Sequence, residues 1–360
     1  MHRPQLGLHR PHLEFALALH DRLPAEGNLP WSPYSVASAL GLAAAGARGR
    51  TYDELAAALA PGGDLAGLAK VLAEAAAPQR AEAAVANTLW MRRQWRFQPG
   101  YLDTVREWPG GTVRTADFAG DPEGARSQIN EDVARTTRGL IRELLAAGTV
   151  HPDLVAVIVN ALYLKVAWLY PFPEDATAPA PFHAPSGTRP VPTMRQQDSF
   201  GYAESDGWRM ATLPAGEVAV DVLLPPAGAR LTWPVLDALH RSSRPAKLDL
   251  ALPRFRVEHQ MTLNPYLSEL GIGAAFDREA ADFSGITDQR PFWVEQVVHK
   301  AVLRVDERGF EGAAATAVMM RTVSVDLSPP VPFHVDRPFL LLVRHRRTGA
   351  VYFLARVAEP

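Results

Sequence analysis

The chain has 360 residues, 47% of them hydrophobic and 21% charged, which is typical of a soluble globular protein and excludes a disordered chain. Its 37 Lys and Arg against 39 Asp and Glu give a formal net charge of -2, so no global basic field exists to hold nucleic acid or an anionic membrane. The absence of Cys excludes a disulfide framework, a thiol nucleophile and a Cys-ligated metal, and it fits either redox compartment.

The first third of the chain predicts helices. Residues 11–23 have an apolar face, and Ser32 followed by Pro33 is typical of an N-cap with Pro at the first helical position. The uncharged stretch 28–47 contains prolines, serines and many small residues, which favours a buried helix over a membrane span. Further helices are predicted in residues 52–59, 65–77 and 123–145.

The rest of the chain predicts strands. Residues 154–164 are rich in β-branched side chains, as expected of a strand buried on both faces. Residues 339–344 and 350–357 flank Thr348-Gly349, which predicts a hairpin. Two more strands are predicted in residues 218–224 and 297–305. Because no change in composition separates helices from strands, we predict one α+β domain over residues 1–360.

No catalytic or metal-binding motif is present. The sequence lacks GxSxG, HExxH, a phosphate loop and the dinucleotide GxGxxG, and its 11 His are scattered. Ser32 and Ser35 are interpreted as capping residues, and His299 as a structural histidine. We therefore predict no enzyme activity, no metal and no cofactor. The first ten residues lack the apolar core of a signal peptide, so no leader is predicted.

The connection between Val305 and the Pro-rich residues 329–332 is unusually long for a segment without secondary structure. Propensity alone favours a surface helix over residues 311–320, because Glu, Ala and Met are good helix formers. Four residues argue against that helix: Gly309, Gly312, Thr316 and Val318. The alternative is a long exposed loop of the kind that a protease can thread into its cleft.

The chain resembles the serpin family from about Leu13 to Pro360, on segments that follow one another in the family's order. They are 28–39 (NLPWSPYSVASA), 46–49 (GARG), 51–55 (TYDEL), 86–90 (ANTLW), 137–141 (TRGLI), 160–165 (NALYLK) with Trp168, 252–255 (LPRF), 281–286 (ADFSGI), 299–303 (HKAVL), 307–315 and 337–339 (RPF). The lack of Cys and the short N-terminus resemble a prokaryotic member. The resemblance implies three β-sheets, eight or nine helices and an exposed reactive-centre loop, about residues 307–330.

The resemblance also implies a suicide-substrate inhibitor. A serine protease cleaves the loop, and the loop then inserts into the large sheet as a new strand and traps the acyl-enzyme. The implied hinge consists of Glu307, Gly309, Phe310, Gly312, Ala313, Ala314 and Ala315. Period-2 alternation predicts two faces for the inserted loop. The even-numbered residues from Phe310 to Met320 point inward, and the odd-numbered residues from Glu311 to Arg321 point outward. Phe310 departs from the small residue usual in the family.

When the loop length usual in the family is applied to this chain, the scissile bond falls at Val323-Ser324. A valine before that bond predicts an elastase-like or subtilisin-like target protease. Cleavage after Met320 would suit a chymotrypsin-like protease, and cleavage after Arg321 a trypsin-like one. The family resemblance further implies a polar "shutter" beneath the parting strands (Ser32, Ser35, Asn160 and His299) and a "breach" at the top of the sheet (Lys165 and Trp168).

Partners follow from the same resemblance. We predict a monomer that binds a serine protease and neither nucleic acid nor membrane. Heparin is not expected either. The segment 65–77, which the resemblance equates with the family's heparin-binding helix, carries only one basic residue, Lys70, with Arg80 just beyond it. The alternative function is a non-inhibitory serpin that acts as a binding or carrier protein, for which Phe310 is the one indication.

Overall fold

The computed structural model describes residues 9–78, 81–310 and 329–360, with the side chain of Phe310 left aside. The described residues form eight α-helices: α1 Arg10–His20, α2 Pro33–Gly46, α3 Gly49–Leu59, α4 Leu65–Glu74, α5 Pro99–Val105, α6 Pro122–Thr136, α7 Trp233–Ser242 and α8 Asn264–Glu269. None of these helices combines the length and hydrophobicity that crossing a membrane requires.

Fifteen strands accompany the helices in the described ranges. They are β1 Leu29–Trp31, β2 Ala81–Arg92, β3 Gly111–Ala116, β4 Ala156–Ala167, β5 Ala178–Ala184, β6 Gly187–Ser205, β7 Trp208–Ala215, β8 Val218–Leu224, β9 Arg244–Pro253, β10 Phe255–Thr262, β11 Gln296–Asp306, β12 Gly309–Phe310, β13 Val331–His334, β14 Phe339–His345 and β15 Val351–Val357. The predicted hairpin at 339–357 is confirmed, because β14 and β15 pair antiparallel.

The strands form two hydrogen-bonded sheets. One has six strands in the order β10-β11-β12-β4-β2-β3, and the other has nine, in the order β1-β15-β14-β8-β7-β6-β9-β13 with β5 beside β6. The resemblance implied three sheets. In this structure two of those three sheets are joined into the nine-stranded sheet by β6, which runs without a break for 19 residues. Strand β6 pairs with β5 and β9 along most of its length and with β7 at its end.

Helix α2 lies in the main core, in contact with strands of both sheets. It carries no charged residue and is buried almost throughout, so the prediction of a buried helix in residues 28–47 is confirmed. Ser32 caps it as predicted, since its hydroxyl oxygen accepts the Ser35 backbone N–H at 3.1 Å. The cap therefore fixes Ser32 and Ser35 at the end of the helix that meets the six-stranded sheet.

The opposite face of the six-stranded sheet is covered by α6 and the chain that follows it, which form a second core around Trp90, Val157 and Val298. The prediction of one helix through residues 123–145 is wrong. Helix α6 ends at Thr136 because Arg138 and Gly139 adopt φ of 51° and 80°, in the left-handed region. The Gly139 N–H then closes the helix by donating to the Ala134 carbonyl at 2.7 Å.

Candidate functional site

The six-stranded sheet is incompletely paired at its centre. Strands β11 and β4 run parallel and pair directly only over Gln296–Lys300 and Val157–Ala161. At the other end, the two-residue strand β12 lies between them, antiparallel to both, with Phe310 opposite Val305 and Val166. Between these two points, residues 301–304 and 162–165 face each other with no strand of the described chain between them.

Gly309 allows the chain to enter this narrow position. Its φ is +143°, which side chains rarely adopt, and a Cβ atom there would lie 2.1 Å from the Val166 carbonyl oxygen. No other residue fits against β4 without moving its backbone. The predicted hinge residue Gly309 is thus located at the entry to the gap between β11 and β4.

The turn that precedes Gly309 is held by Glu307. Its Oε1 accepts the Thr177 hydroxyl at 2.7 Å and lies 3.4 Å from Arg254 Nη1, while its backbone carbonyl accepts the Phe172 N–H at 2.9 Å. The side chain is only 9% exposed, whereas that of Arg254 is half exposed. The hydrogen bond from Thr177 is therefore the stronger restraint on this turn.

Trp168 connects the end of β4 to the same turn. Its indole Nε1–H donates to the Asp306 carbonyl at 2.8 Å, its backbone N–H donates to the Arg308 carbonyl at 3.0 Å, and its ring packs edge-on against Phe172. Lys165 lies three residues before it on β4, half-buried and opposite Glu82 of β2. The two predicted breach residues thus lie beside the hinge, although only Trp168 has a described contact with it.

The four predicted shutter residues form one buried cluster, and each is fully inaccessible to solvent. His299 of β11 and Asn160 of β4 are direct neighbours in the sheet, with their side chains hydrogen-bonded. The backbone N–H of Ser32 donates to His299 Nε2 at 3.1 Å. The cluster thus lies where β11 and β4 still pair, at the lower end of the gap.

Asn87 completes the cluster, and the sequence reasoning did not single it out. It is the neighbour of Asn160 on β2, and its Oδ1 accepts both the Asn160 amide at 2.6 Å and the Ser35 hydroxyl at 3.1 Å. Its own amide donates to the Pro109 carbonyl at 3.1 Å. The sequence feature that could have identified Asn87 is its position in residues 86–90, one of the segments on which the family resemblance is based.

The hydrogen-bond directions require a neutral His299. Its Nε2 accepts the Ser32 N–H, so the ring proton resides on Nδ1 and is donated to Asn160 Oδ1. Burial, and secondarily the nearby His259, lowers the pKa of His299 to about 3. The cluster is therefore uncharged, and parting β11 from β4 must break the bond between His299 and Asn160.

Acid is expected to destabilise the protein partly through His299. Because its folded pKa is about 3 and that of an unfolded histidine about 6.5, the unfolded chain binds the proton preferentially between these values. Its contribution is complete above pH 6.5 and is lost as pH falls through that window, at about 1.4 kcal/mol per pH unit. Urea titrations at several pH values measure the free energy of unfolding, and between pH 3 and 6.5 its slope against pH should be smaller in His299→Gln than in the parent by the slope that one bound proton gives.

Removing the Glu307 side chain is expected to loosen the hinge turn. Glu307→Ala leaves the Thr177 hydroxyl unpaired and should lower the free energy of unfolding by about 1–3 kcal/mol. Glu307→Gln keeps an acceptor for that hydroxyl and loses only the charge facing half-exposed Arg254, so its loss should stay below about 1 kcal/mol. Equal losses in both variants, measured by urea unfolding, would mean that the charge matters more than the hydrogen bond.

Part of the predicted site lies outside the described residues. This applies to Gly312, Ala313, Ala314 and Ala315 of the hinge, to the bond Val323-Ser324, and to the alternative helix at 311–320. Within the described ranges, no group of three or more His, Asp or Glu side chains is placed to hold a metal ion.

The comparisons with known proteins agree with this geometry. The sequence profile of the serpin (serine protease inhibitor) family matches residues 12–360. An uncharacterized serpin-like protein of Thermococcus kodakarensis is 34% identical, over 92% of this chain and 81% of that protein. Leukocyte elastase inhibitor of Homo sapiens is 32% identical, over 97% of each chain. The structure of thyroxine-binding globulin with thyroxine superposes with a TM-score of 0.86 at 23% identity, over 97% of this chain and 98% of that one.

The chain therefore belongs to the serpin family. The α+β serpin fold is confirmed, and the resemblance to prokaryotic members agrees with the archaeal relative. The family contains protease inhibitors, such as leukocyte elastase inhibitor, as well as non-inhibitory members, such as thyroxine-binding globulin. Membership alone does not decide between these two functions, so the choice depends on the hinge.

Proposed function

We propose that this chain, as one serpin domain over residues 1–360, inhibits serine proteases as a suicide substrate. The observation that carries the proposal is the position of β12, which already occupies the entry between β11 and β4, above stretches of the two strands that no strand of the described chain separates. A loop that continued from Phe310 in the same direction would enter the sheet between existing strands. Neither neighbouring strand has to change its direction.

Continuing the pairing of β12 gives a register for the inserted strand. Residue 312 would lie between Leu303 and Leu164, and residue 314 between Ala301 and Leu162. These four neighbours are at most 5% exposed and face the main core. The even-numbered loop residues would therefore point inward, and Gly312 and Ala314 are small enough to pass first. This register supports the alternation predicted from the sequence.

The same register places polar residues beside polar partners. Thr316 would lie between His299 and Asn160, so its hydroxyl could replace the hydrogen bond that is lost when the two strands part. Glu311, on the outward face, would lie between Arg304 and Lys165. The loop pattern and the lining of the gap are therefore complementary in both hydrophobicity and charge.

Insertion is favourable in this scheme because the new strand gains ladder hydrogen bonds to β11 and β4 and buries its inward apolar side chains. The conformational entropy lost when the loop becomes ordered opposes this gain. In the trapping reaction the protease serine attacks the Val323 carbonyl, the bond to Ser324 breaks, and the new Ser324 amine takes the proton. The chain supplies no catalytic group of its own.

The target class follows from the residue before the scissile bond. Val323 fits a modest apolar specificity pocket, and the similarity to leukocyte elastase inhibitor supports an elastase-like or subtilisin-like protease. Met320 and Arg321 remain the alternatives for chymotrypsin-like and trypsin-like enzymes. The chain is proposed to act as a monomer toward each of them.

The second candidate is a non-inhibitory serpin with a binding or carrier role. It is favoured by Phe310, whose bulk could slow the start of insertion, and by the structural similarity to thyroxine-binding globulin. In that case the loop would behave as an ordinary substrate. Phe310→Thr would then be expected to restore trapping, because it returns a small residue to the first inward position.

A protease panel separates the two functions. The intact protein is incubated with elastase-, subtilisin-, chymotrypsin- and trypsin-like enzymes and analysed by denaturing gel and fragment mass. A denaturation-resistant complex together with release of residues 324–360 is the expected result. Clean cleavage without a complex across the whole panel would overturn the inhibitory function.

A further inference from the structure

A polar cleft of about 770 Å³ opens at the hinge end of β10 and β11. Arg254, Arg256, Arg304 and Arg308 line it from four different positions of the fold. Their side chains are 50–58% exposed, so each guanidinium remains accessible to a ligand. Among the described residues, this cleft brings four guanidinium groups to one solvent-filled space beside the hinge.

Two of these arginines oppose each other directly. Arg256 of β10 and Arg304 of β11 are paired residues in the antiparallel register, so their side chains project from the same face of the sheet. Like charges at directly opposite positions destabilise a sheet. The chain thus carries an electrostatic cost at this position, and a bound anion between the two guanidinium groups would offset it.

The acidic neighbours leave most of the guanidinium donors available. Arg256 contacts Glu258 through one nitrogen at 3.2 Å, and Arg304 contacts Asp306 through one nitrogen at 3.3 Å. Asp306 is also engaged by the backbone, because its Oδ1 accepts the Arg308 N–H at 3.0 Å. A guanidinium group has five N–H donors, so contacts of this kind leave several of them free to bind a ligand.

The other two arginines are held by the hinge region. Arg308 donates to Glu174 through Nε at 3.0 Å and Nη2 at 2.7 Å, while Arg254 approaches Glu307 at 3.4 Å. These ion pairs are exposed on the arginine side and therefore weak. An anion with several charges can compete with them, because Arg forms bidentate hydrogen bonds with tetrahedral oxyanions.

We propose that this cleft binds a small phosphate-type oxyanion with at least two negative charges. The opposed pair Arg256 and Arg304 supplies the primary contacts, and Arg254 and Arg308 supply further donors at the rim. Binding does not require loop cleavage and stabilises the intact protein, because the anion binds the folded arrangement of the four arginines. Its affinity decreases as sodium chloride is added, since the site is open to solvent.

Calorimetric titration of the intact, full-length protein with inorganic pyrophosphate tests the site, with tripolyphosphate as a second probe. Saturable binding with a Kd below about 1 mM is expected. The double variant Arg256→Gln/Arg304→Gln should bind at least about tenfold more weakly. Arg106→Gln removes an arginine that is more exposed, pairs with Asp103 and does not line the cleft, so this variant should bind as the parent does.

Thermal unfolding provides a second readout that does not depend on the double variant's folding. Without anion, the single variant Arg256→Gln should have a higher melting temperature than the parent protein, because it removes one of the two opposed charges. With saturating pyrophosphate, the parent should gain more stability than this variant. The proposal is overturned if pyrophosphate acts no differently from chloride at equal ionic strength, or if Arg106→Gln loses as much affinity as the double variant.

Discussion

Cleavage of the loop within residues 311–328 is expected to raise the melting temperature of the protein by at least about 10 °C. The cut frees the loop to continue β12 between β11 and β4, where no strand of the described chain lies between residues 301–304 and 162–165. For 360 residues, with an unfolding entropy of about 2.1 cal/mol/K per residue, a shift of this size corresponds to a net gain of about 8 kcal/mol from new ladder bonds and apolar burial. A cut in a surface loop that stayed outside the sheet would leave the melting temperature unchanged or lower it.

The cut should be made with a metalloprotease, whose nucleophile is an activated water, so that no acyl-enzyme complicates the measurement. Scanning calorimetry of intact and nicked protein then gives the shift, and fragment mass confirms that only the loop was cut. A melting temperature that does not rise would remove the basis for insertion. The protein would then be assigned to the non-inhibitory group.

Ala314→Glu is expected to convert the inhibitor into a substrate. In the register that extends β12, residue 314 lies between Ala301 and Leu162, which are 1% exposed at most, and a carboxylate there would be buried without a partner. Insertion should stall, the acyl-enzyme should hydrolyse, and the yield of trapped protease should fall at least about tenfold.

The neighbouring substitution Ala315→Glu is the matched control. In the same proposed register, residue 315 would point the other way and lie beside half-buried Lys300, which can pair with the new carboxylate. It should therefore trap protease much better than Ala314→Glu. Titration of inhibitor against a fixed amount of protease measures both variants. Equal losses would mean that the register or the inward face is wrong.

The periodic and turn-bounded elements were predictable from the sequence. The strands at 154–164, 218–224 and 297–305 match β4, β8 and β11, because stretches rich in β-branched and apolar residues favour buried strands. The helix at 123–145 was predicted too long because Leu140 and Leu144 continue the helical spacing. They pack in the second core from an irregular segment, beyond the left-handed turn at Arg138-Gly139.

The contents of the site were predictable only in part. Ser32, Ser35, Asn160 and His299 came from the family resemblance, since residues this far apart in sequence share no local pattern. Asn87 was missed because nothing local marks a strand residue that meets Asn160 across the sheet. The opposed arginines Arg256 and Arg304 were missed for the same reason, because their proximity depends on the pairing register of β10 and β11.

The central claim is that the cleaved loop becomes a strand between β11 and β4, and hydrogen exchange tests it most directly. Backbone amides in 301–304 and 162–165 are compared in intact and nicked protein by mass spectrometry, with β8 as an internal reference. The account predicts that the amides of these stretches that point into the gap, about every second one, exchange at least about tenfold more slowly after cleavage, while β8 is unchanged. Unchanged or faster exchange in both stretches would contradict it.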